Sequence, residues 1–223
     1  MRLLKPLLLA GCFGIGAAVS QGAPAAADIK SIASAVDAHY NHLRTLEAQF
    51  TQVYRGSGMD RTESGTLWLK KPGKMRWEYR SPREKLFVSD GKTVWFYVPE
   101  DRQARKSSAQ KLEDMRSPLA LLLGKTRLEK ELHGLSIASD IEPAQAGDTM
   151  LRGIPAGMTD RVSEVVLEIT PQDRIARIVM QGVDGATTEY RFEDQKEDVA
   201  IGDARFGFKP PPGIEVVEGE LDQ

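Results

Sequence analysis

Cysteine is almost absent from this sequence. The 223-residue chain has one cysteine, Cys12, and three histidines. Cys12 lies in an N-terminal stretch that has the features of a removable signal, so the mature chain has no thiol for a disulfide, a sulfur-ligated metal or a catalytic nucleophile. We therefore expect a protein that is held together by packing alone.

The sequence also has no strong excess of charge of either sign, and it has no long apolar run after the N-terminal segment. Lys and Arg total 30 against 32 Asp and Glu, a formal net charge of −2, which gives no indication of nucleic acid as a partner. After the N-terminal segment no stretch is apolar enough to span a membrane. With 41% hydrophobic residues, the mature chain is long enough to bury one large core, and we expect a single domain.

Motifs for catalysis and cofactor binding are missing as well. The sequence has no phosphate loop, dinucleotide fingerprint or metalloprotease helix. Gly56-Ser57-Gly58 lacks the strand-turn-helix context of a nucleophile elbow. His39 and His42 are three positions apart, but no third metal ligand is near them in the sequence. These absences predict a protein that is not an enzyme and holds no cofactor or metal.

Residues 1–27 have the features of a signal peptide. Basic residues near the N-terminus precede an apolar run, and Ala25-Ala26-Ala27 is a small-residue cleavage pattern. We expect export from the cytoplasm and a mature domain of residues 28–223. Leu9-Ala10-Gly11-Cys12 also resembles a lipobox, in which Cys12 would be lipidated, although eleven residues before the cysteine is short for such a signal.

The stretch from Glu63 to Pro99 contains all three tryptophans of the chain and two turn signals. Lys71-Pro72-Gly73-Lys74 is a turn, because proline and glycine favour the backbone angles that turns need. Asp90-Gly91 is typical of a two-residue hairpin connection. Two consecutive hairpins are therefore predicted here.

Polar and apolar residues alternate through the first hairpin, and the alternation predicts its register. Successive side chains of a strand point to opposite faces, so one register places the apolar side chains, all but Trp68, on one face and the charges on the other. The predicted pairs are Leu69 with Met75, Leu67 with Trp77, and Gly65 with Tyr79. On periodicity alone, this face is the core of an ordinary sheet.

The second hairpin is apolar on both faces. Pairing about Asp90-Gly91 brings together one set of apolar side chains and leaves another set on the reverse side. The first set is Leu86, Val88, Trp95 and Tyr97; the second is Phe87, Val94 and Phe96. We expect both faces of this hairpin to be covered.

Two segments have helix signals. Asp28 can cap a helix that reaches about Arg44, because apolar residues recur there at three- and four-residue steps, and the hairpins are the surface on which it can pack. Ser117-Pro118 begins a leucine-rich segment that ends at Gly124, which predicts a helix of less than two turns that depends on tertiary contacts. Such a helix is either a plug in the core or a movable lid over an apolar surface.

The remaining strand signals complete a fold prediction. Strands are expected at Asp101–Lys106, at the edge of the sheet, and then from Thr149 to Val217, with turns between them. The total is about ten or eleven antiparallel strands. This order predicts an α+β domain built around one strongly curved sheet.

Several of these motifs occur together in one known family. They are Phe50-Thr51-Gln52, Gly65-x-Leu67-Trp68-Leu69-Lys70-Lys71-Pro72, Val88-Ser89-Asp90-Gly91-Lys92, Trp95-x-Tyr97-x-Pro99 and Phe206-x-Phe208-x-x-Pro211-Pro212-Gly213. In this combination the chain resembles the periplasmic outer-membrane lipoprotein carriers, the LolA family, over nearly all of its mature length.

The resemblance implies a half-open β-barrel with an N-terminal helix and short helices that cover its concave face. It also implies a monomeric carrier in the periplasm. Such a carrier binds the acyl chains of lipoproteins, takes them from a lipoprotein-releasing ABC transporter of the inner membrane, and delivers them to an outer-membrane receptor. The residues expected to line the acyl-chain cavity are Leu67, Leu69, Trp77, Tyr79, Leu86, Val88, Trp95, Tyr97, Leu119, Leu122 and Leu123.

The resemblance implies roles for two further residues. Lys71 falls where the family has an arginine that hydrogen-bonds the lid, so we expect it to be the lid latch. Because lysine is a point charge and not a planar fork, we expect a weaker clamp. Met75 matches a hydrophobic position at which the family meets the inner-membrane transporter, and we expect a contact there.

Two alternatives stay open. If Cys12 is lipidated, the chain is an outer-membrane-anchored receptor of the same fold. An enzyme that acts on lipids is the other alternative, and it would need a nucleophile that the sequence does not offer.

Overall fold

The computed structural model describes residues 28–109 and 127–219, and its main element is one unclosed, curved sheet of twelve strands. The strand order across the sheet is β12-β6-β5-β4-β3-β2-β1-β11-β10-β9-β8-β7. In chain order the strands are β1 (Thr45–Gly56), β2 (Met59–Lys70), β3 (Lys74–Ser81), β4 (Lys85–Asp90), β5 (Thr93–Val98), β6 (Gln103–Ser108), β7 (Leu132–Ile137), β8 (Thr149–Pro155), β9 (Val162–Ile169), β10 (Ile175–Gly182), β11 (Thr187–Glu197) and β12 (Glu215–Glu218). The predicted α+β fold with a half-open, curved antiparallel sheet is confirmed.

The sheet differs from the sequence prediction at its two ends. Strand β7, in a polar segment that gave no clear strand signal, forms one end of the sheet beside β8. At the other end β12 pairs in parallel with β6, so β6 is an inner strand and not the expected edge. Both differences arise from long-range pairing, which the local pattern of a short polar strand does not encode.

Helix α1 (Ile29–His42) forms where the apolar stripe predicts it. The Asp28 carboxylate accepts a hydrogen bond from the backbone N–H of Lys30 at 3.3 Å and caps the first turn. Ala33, Val36 and Tyr40 are buried and join the main core cluster together with residues of the sheet. The helix therefore packs its apolar stripe into the core of the domain.

A short helix, α2 (Leu128–Glu131), packs against α1. The Asp37 carboxylate of α1 accepts the backbone N–H of Leu128 at 3.0 and 3.1 Å through its two oxygens. Burial raises the pKa of this carboxyl group, while the hydrogen bond and nearby Arg127 act in the opposite direction. One side chain thus ties the two helices together.

The register of the first hairpin agrees with the prediction. Strands β2 and β3 pair Leu69 with Met75, Leu67 with Trp77, and Gly65 with Tyr79. We call the side of the sheet on which Leu67 and Trp77 lie the inner face, since it packs with α1 in the main core cluster, and the opposite side the outer face. A side chain at Gly65 has no room, because a Cβ there would lie 1.9 Å from the carbonyl oxygen of Glu78.

The C-terminal segment covers part of the outer face. Trp68 forms a small buried cluster with Ile201 and with Phe206, which lies in a 3-10 helix (Asp203–Phe206). Asp203 of that helix ion-pairs with Lys70 at 2.7 Å and Lys74 at 2.9 Å. The sheet is therefore apolar and packed on both sides, with helices inside and the C-terminal segment outside.

Within the part of the chain that the structure describes, no helix combines the length and apolar character required to cross a membrane. In the same ranges, no three His, Cys, Asp or Glu side chains are grouped so as to hold a metal ion.

Candidate functional site

The most distinctive feature of the inner face is a cluster of five aromatic rings from strands β1, β3 and β11. The ring of Phe50 lies 4.8 Å from the ring of Trp77 and 4.8 Å from that of Tyr79, in edge-to-face geometry. The ring of Trp77 lies 5.8 Å from Tyr190 and 6.2 Å from Phe192, between centroids. We call these five residues the aromatic wall. Rings in such contact present a broad apolar surface at little cost in conformational entropy.

Aliphatic and further aromatic side chains extend the aromatic wall along the inner face. Leu67 and Leu69 are 0% and 4% exposed, and Trp77 on the neighbouring strand is 3% exposed. Tyr79, Phe96 and Met180 are partly buried against the same cluster. The structure therefore brings together four of the predicted site residues, namely Leu67, Leu69, Trp77 and Tyr79.

The second hairpin presents a different set of side chains to the inner face than we expected. Its own register is as predicted, since Leu86 pairs with Tyr97 and Val88 with Trp95. Across β3 and β4, however, Trp77 stands opposite Phe87, and Phe87 stands opposite Phe96. Residues that face one another across a sheet share a side, so Phe87, Val94 and Phe96 lie on the inner face.

The prediction that Leu86, Val88, Trp95 and Tyr97 share one surface with Trp77 is therefore corrected: these four residues lie on the outer face. The rings of Trp95 and Tyr97 contact Phe208 of the C-terminal segment, at 5.6 and 5.2 Å between centroids. The physical reason is the connection of residues 82–84 between β3 and β4. One residue more or less in such a connection reverses which face each following side chain occupies.

Sequence reasoning missed the inner-face residues that β1, β4, β5 and β11 supply. A signal for two of them exists, because Tyr190 and Phe192 alternate with Glu189, Arg191 and Glu193 and so mark an apolar face. The side on which that face lies follows only from the pairing of β11 with β1, which places Phe192 opposite Phe50. The residues missed were Phe50, Phe87, Val94, Phe96, Tyr190 and Phe192.

The expected lid residues Leu119, Leu122 and Leu123 lie outside the described residues. The contact observed for Lys71, the expected latch, is with α1: its ammonium group donates a hydrogen bond to the backbone carbonyl of Tyr40. Burial lowers the pKa of Lys71, and Asp198 nearby acts in the opposite direction. Lys71 therefore holds the C-terminal end of α1 against the turn between β2 and β3.

Met75 lies on the inner face and is 6% exposed. In this conformation its side chain is part of the main core cluster and not of the surface. A contact between Met75 and a partner protein would therefore require the core around it to open.

A group of charged and polar side chains borders the aromatic wall at the end of the inner face that is remote from Lys71. Glu63 is 3% exposed and ion-pairs with the ammonium group of Lys85 and, at 3.4 Å, with the guanidinium Nε of Arg61. The phenol of Tyr79 donates a hydrogen bond to the side-chain oxygen of Gln52 at 2.8 Å. We call Arg61, Glu63 and Lys85 the polar cluster.

Both tyrosines beside the polar cluster keep their protons at neutral pH. Burial raises the pKa of Tyr79 and of Tyr190, and the negative charge of Glu63 raises both further. A phenol in this state is a hydrogen-bond donor as well as an acceptor. The inner face thus combines a wide apolar area with hydrogen-bonding groups at one end.

A separate open groove of about 790 Å³ lies beside Lys71, at the other end of the sheet. Its walls come from the segment 198–202 and from the ends of β1 and β2, where Lys70 donates a hydrogen bond to the carbonyl of Ile201 at 2.7 Å. The hydroxyl of Thr45 likewise donates to the carbonyl of Val199 at 2.7 Å. Because these groups belong to the outer-face packing, we do not assign the groove to the inner-face site.

The fold and the inner face together define a class of protein: an unclosed, curved β-sheet that packs one apolar face against helices, with no metal-binding cluster among the described residues. A family model described as outer membrane lipoprotein carrier protein LolA matches residues 41–209. The chain belongs to this family.

Two relatives cover nearly the whole chain. The outer-membrane lipoprotein carrier protein of Chromobacterium violaceum is 32% identical over 227 residues, which cover 99% of this chain and 100% of that protein. The protein of the same name from Dechloromonas aromatica is 31% identical over 222 residues, which cover 97% and 98% of the two chains.

The fold is also similar to that of a solved structure whose sequence differs widely from this chain. The crystal structure of an uncharacterized conserved protein from Thermus thermophilus matches with a TM-score of 0.56 at 15% identity, covering 85% of this chain and 98% of that one. This likeness shows a shared fold.

Proposed function

We propose that this protein is a periplasmic carrier that binds the acyl chains of lipoproteins on its inner face. The observation that supports this proposal best is the aromatic wall, which forms a continuous apolar area on the inner face of a sheet that does not close. Family membership and the names of the relatives agree with a lipoprotein cargo. The signal peptide that the sequence predicts at residues 1–27 supports a periplasmic location.

In this proposal the inner face must open before cargo binds. Leu67, Leu69 and Trp77 are buried in the present conformation, so acyl chains have to displace the groups that cover them. The leucine-rich segment that contains Leu119, Leu122 and Leu123 is the cover that the sequence suggests. Lys71 remains our candidate for a latch, and its hydrogen bond to the end of α1 adds that helix to the parts that move on opening.

The energetics of release favour a carrier whose own side chains compete with the cargo. Each methylene removed from water contributes about 0.8 kcal/mol. Full burial of three acyl chains would then exceed roughly 30 kcal/mol, which is beyond the ceiling of roughly 18–21 kcal/mol for non-covalent binding. Exposure of the apolar cover on cargo binding offsets part of this gain and leaves an affinity from which the cargo can be released.

The same proposal names the partners. Because the cargo is delivered between two membranes, the carrier has to receive it from an inner-membrane lipoprotein-releasing ABC transporter and give it to an outer-membrane receptor. A monomer suits this exchange, since the opening of the inner face then stays accessible. The role is binding and not catalysis, so we expect no turnover of the cargo.

The experiment that tests this function uses membrane vesicles that contain lipoproteins and the transporter. The purified mature protein is added with ATP, the vesicles are removed by centrifugation, and the supernatant is separated by size. We expect lipoprotein in the supernatant at the elution volume of a complex with this protein. If the lipoprotein stays in the vesicles in spite of a folded carrier and an active transporter, the proposed function is wrong.

A further inference from the structure

The polar cluster is an unusual feature for a surface that binds acyl chains. Three acidic side chains are buried among the described residues, Glu63, Glu168 and Glu189, and of these only Glu63 lies on the inner face. A buried charge is costly unless it is paired, and an apolar side chain of similar volume often serves stability equally well. The position of Glu63 therefore calls for an explanation beyond the packing of the sheet.

The geometry places the charges directly beside the aromatic wall. Lys85 of β4 reaches across β3 to Glu63 of β2, and its ammonium nitrogen lies 5.0 Å from the centroid of the Tyr79 ring. The ring of Tyr79 is in turn 4.8 Å from that of Phe50. A hydrocarbon chain that lies along the aromatic wall therefore ends within reach of Lys85.

The chemistry of the cluster is that of a hydrogen-bond donor site. The ammonium group of Lys85 has three donors and the guanidinium group of Arg61 has five, and one carboxylate, Glu63, is shared between them. Glu63 holds both cations in place and partly balances their charge. Donors that remain available beside an apolar surface suit an acceptor that is attached to hydrocarbon.

We propose that the polar cluster binds the ester carbonyl groups that join acyl chains to glycerol, and so fixes the direction in which the chains lie. This inference rests on the proposed function and deepens it. Lys85 and Arg61 donate to the ester carbonyls, Glu63 positions the two cations, and the hydrocarbon extends from Tyr79 toward Phe50 and Trp77. Cargo then enters in one orientation, with its polar end at the polar cluster and its chains toward α1.

The test compares two synthetic diacylated cysteine peptides that differ only in the linkage of the chains to glycerol, ester in one and ether in the other. The ether analogue keeps the hydrocarbon and lacks the carbonyl acceptors. Binding of each peptide to the mature protein is measured by its displacement of a fluorescent fatty-acid probe. For Lys85→Met we expect at least a tenfold loss of affinity for the ester peptide and less than a twofold change for the ether peptide.

Lys106→Met is the matched control. Lys106 also holds an ammonium group over an aromatic ring, at 5.7 Å from the centroid of Trp95, and it pairs with Glu218 at 3.4 Å, but it lies on the outer face. This variant should bind both peptides as the natural protein does. An equal loss for the two peptides in Lys85→Met, or no loss for either, contradicts the proposal.

Lys85→Met leaves Glu63 buried with fewer partners, which can weaken folding. The double variant Glu63→Gln with Lys85→Met removes both charges, and we expect it to fold and to show the same selective loss for the ester peptide. Full recovery of ester binding in this double variant would also contradict the proposal. If the natural protein binds neither peptide, the carrier function itself fails, and that result is distinct from a failure of the polar cluster.

Ester carbonyls occur in membrane phospholipids as well as in lipoproteins, so a third ligand separates the sources. Diester phosphatidylglycerol below its aggregation limit is offered to the natural protein and to Lys85→Met. A loss on substitution that is confined to the lipopeptide assigns the site to lipoproteins, and an equal loss with the phospholipid assigns it to acylglycerol esters in general. Both results support a carbonyl site. If Lys85→Met binds the lipopeptide and the phospholipid as tightly as the natural protein does, the carbonyl site is rejected.

Discussion

At the scale of single residues, Tyr40 shows how one buried hydroxyl joins helix and sheet. Its side chain is 1% exposed, and its oxygen accepts the backbone N–H of Ile175 in β10 at 2.9 Å. Burial raises the pKa of Tyr40, so the phenol stays protonated at neutral pH. The apolar stripe of α1 predicts burial of this residue, but not its partner, which is 135 positions away in the sequence.

We expect Tyr40→Phe to destabilise the protein by about 1–3 kcal/mol, because the N–H of Ile175 loses its acceptor inside the core. For a chain of this size each 1 kcal/mol corresponds to roughly 2–4 °C in melting temperature. Thermal unfolding monitored by circular dichroism measures the change. Tyr97→Phe, which keeps the ring contact with Phe208 on the outer face, serves as the control. Equal melting temperatures for the two variants would contradict this assignment.

A second residue-scale feature is the carboxylate pair Asp148 and Glu168 on the outer side of the sheet. Glu168 is 1% exposed, accepts the backbone N–H of Ala144 at 2.7 Å, and lies 2.6 Å from the Arg177 guanidinium. Burial and the neighbouring Glu168 raise the pKa of Asp148 above its ordinary value of 3.8. Because the folded state then binds this proton more tightly than the unfolded state, ionisation of Asp148 costs stability as the pH rises.

Asp148→Asn is therefore expected to raise stability at pH 7, and the gain should shrink as the pH falls through the raised pKa toward 4. Urea unfolding of the variant and the natural protein at several pH values measures this difference. For Asp140→Asn we expect the opposite pH dependence: the variant should be less stable than the natural protein at pH 7, and this difference should shrink as the pH falls. The pKa of Asp140 is lowered by Arg152 at 2.5 Å, so the natural protein has an advantage at pH 7 that disappears on acidification. A gain for Asp148→Asn that does not vary with pH would disprove the assignment.

At the scale of elements, each hairpin could be predicted by itself but the relation between the hairpins could not. Proline and glycine in the first turn, together with an alternation that only Trp68 breaks, determine how β2 pairs with β3, and the Asp90-Gly91 turn does so for β4 and β5. The second hairpin is apolar on both sides, so its pattern does not indicate which side joins the inner face. The length and conformation of the connection between β3 and β4 determine which side that is, and this connection has no alternation of polar and apolar residues from which it could be predicted.

Two adjacent residues of β5 that lie on opposite faces of the sheet allow a direct test of which face binds the cargo. Phe96 lies on the inner face and Tyr97 on the outer face, and both are partly buried. We expect Phe96→Glu to lower lipopeptide affinity at least tenfold, because a carboxylate among acyl chains has to be desolvated. Tyr97→Glu should retain the affinity of the natural protein, provided that circular dichroism shows both variants folded. The reverse order of effects would mean that the inner face is not the binding surface.

At the scale of the whole molecule, the sequence supports the fold class, α1 and the family, while the two ends of the sheet depend on pairing at long range. Strand β12 lies beside β6 although more than a hundred residues separate them, and β7 comes from a segment without alternation. The packing of the C-terminal segment on the outer face is of the same kind, since Phe206 and Phe208 give no sequence signal of their partners. The predicted cavity residues of the first hairpin therefore lie on the inner face, where alternation places them, while those of the second hairpin lie on the outer face.

For the whole molecule, we propose that cargo lies on the inner face and that the outer face serves only packing. The three tryptophans are divided between the faces, with Trp77 inside and Trp68 and Trp95 outside. Proteins that keep only Trp77 or only Trp95, with phenylalanine at the other two positions, can therefore report where the acyl chains lie.

The measurement is fluorescence quenching by a lipopeptide whose acyl chains carry bromine, which quenches an indole only in contact. We expect strong quenching of Trp77 and little or none of Trp95, with an unbrominated lipopeptide as the control for conformational effects. Quenching of Trp95 that equals or exceeds that of Trp77 would contradict the claim that the inner face holds the cargo.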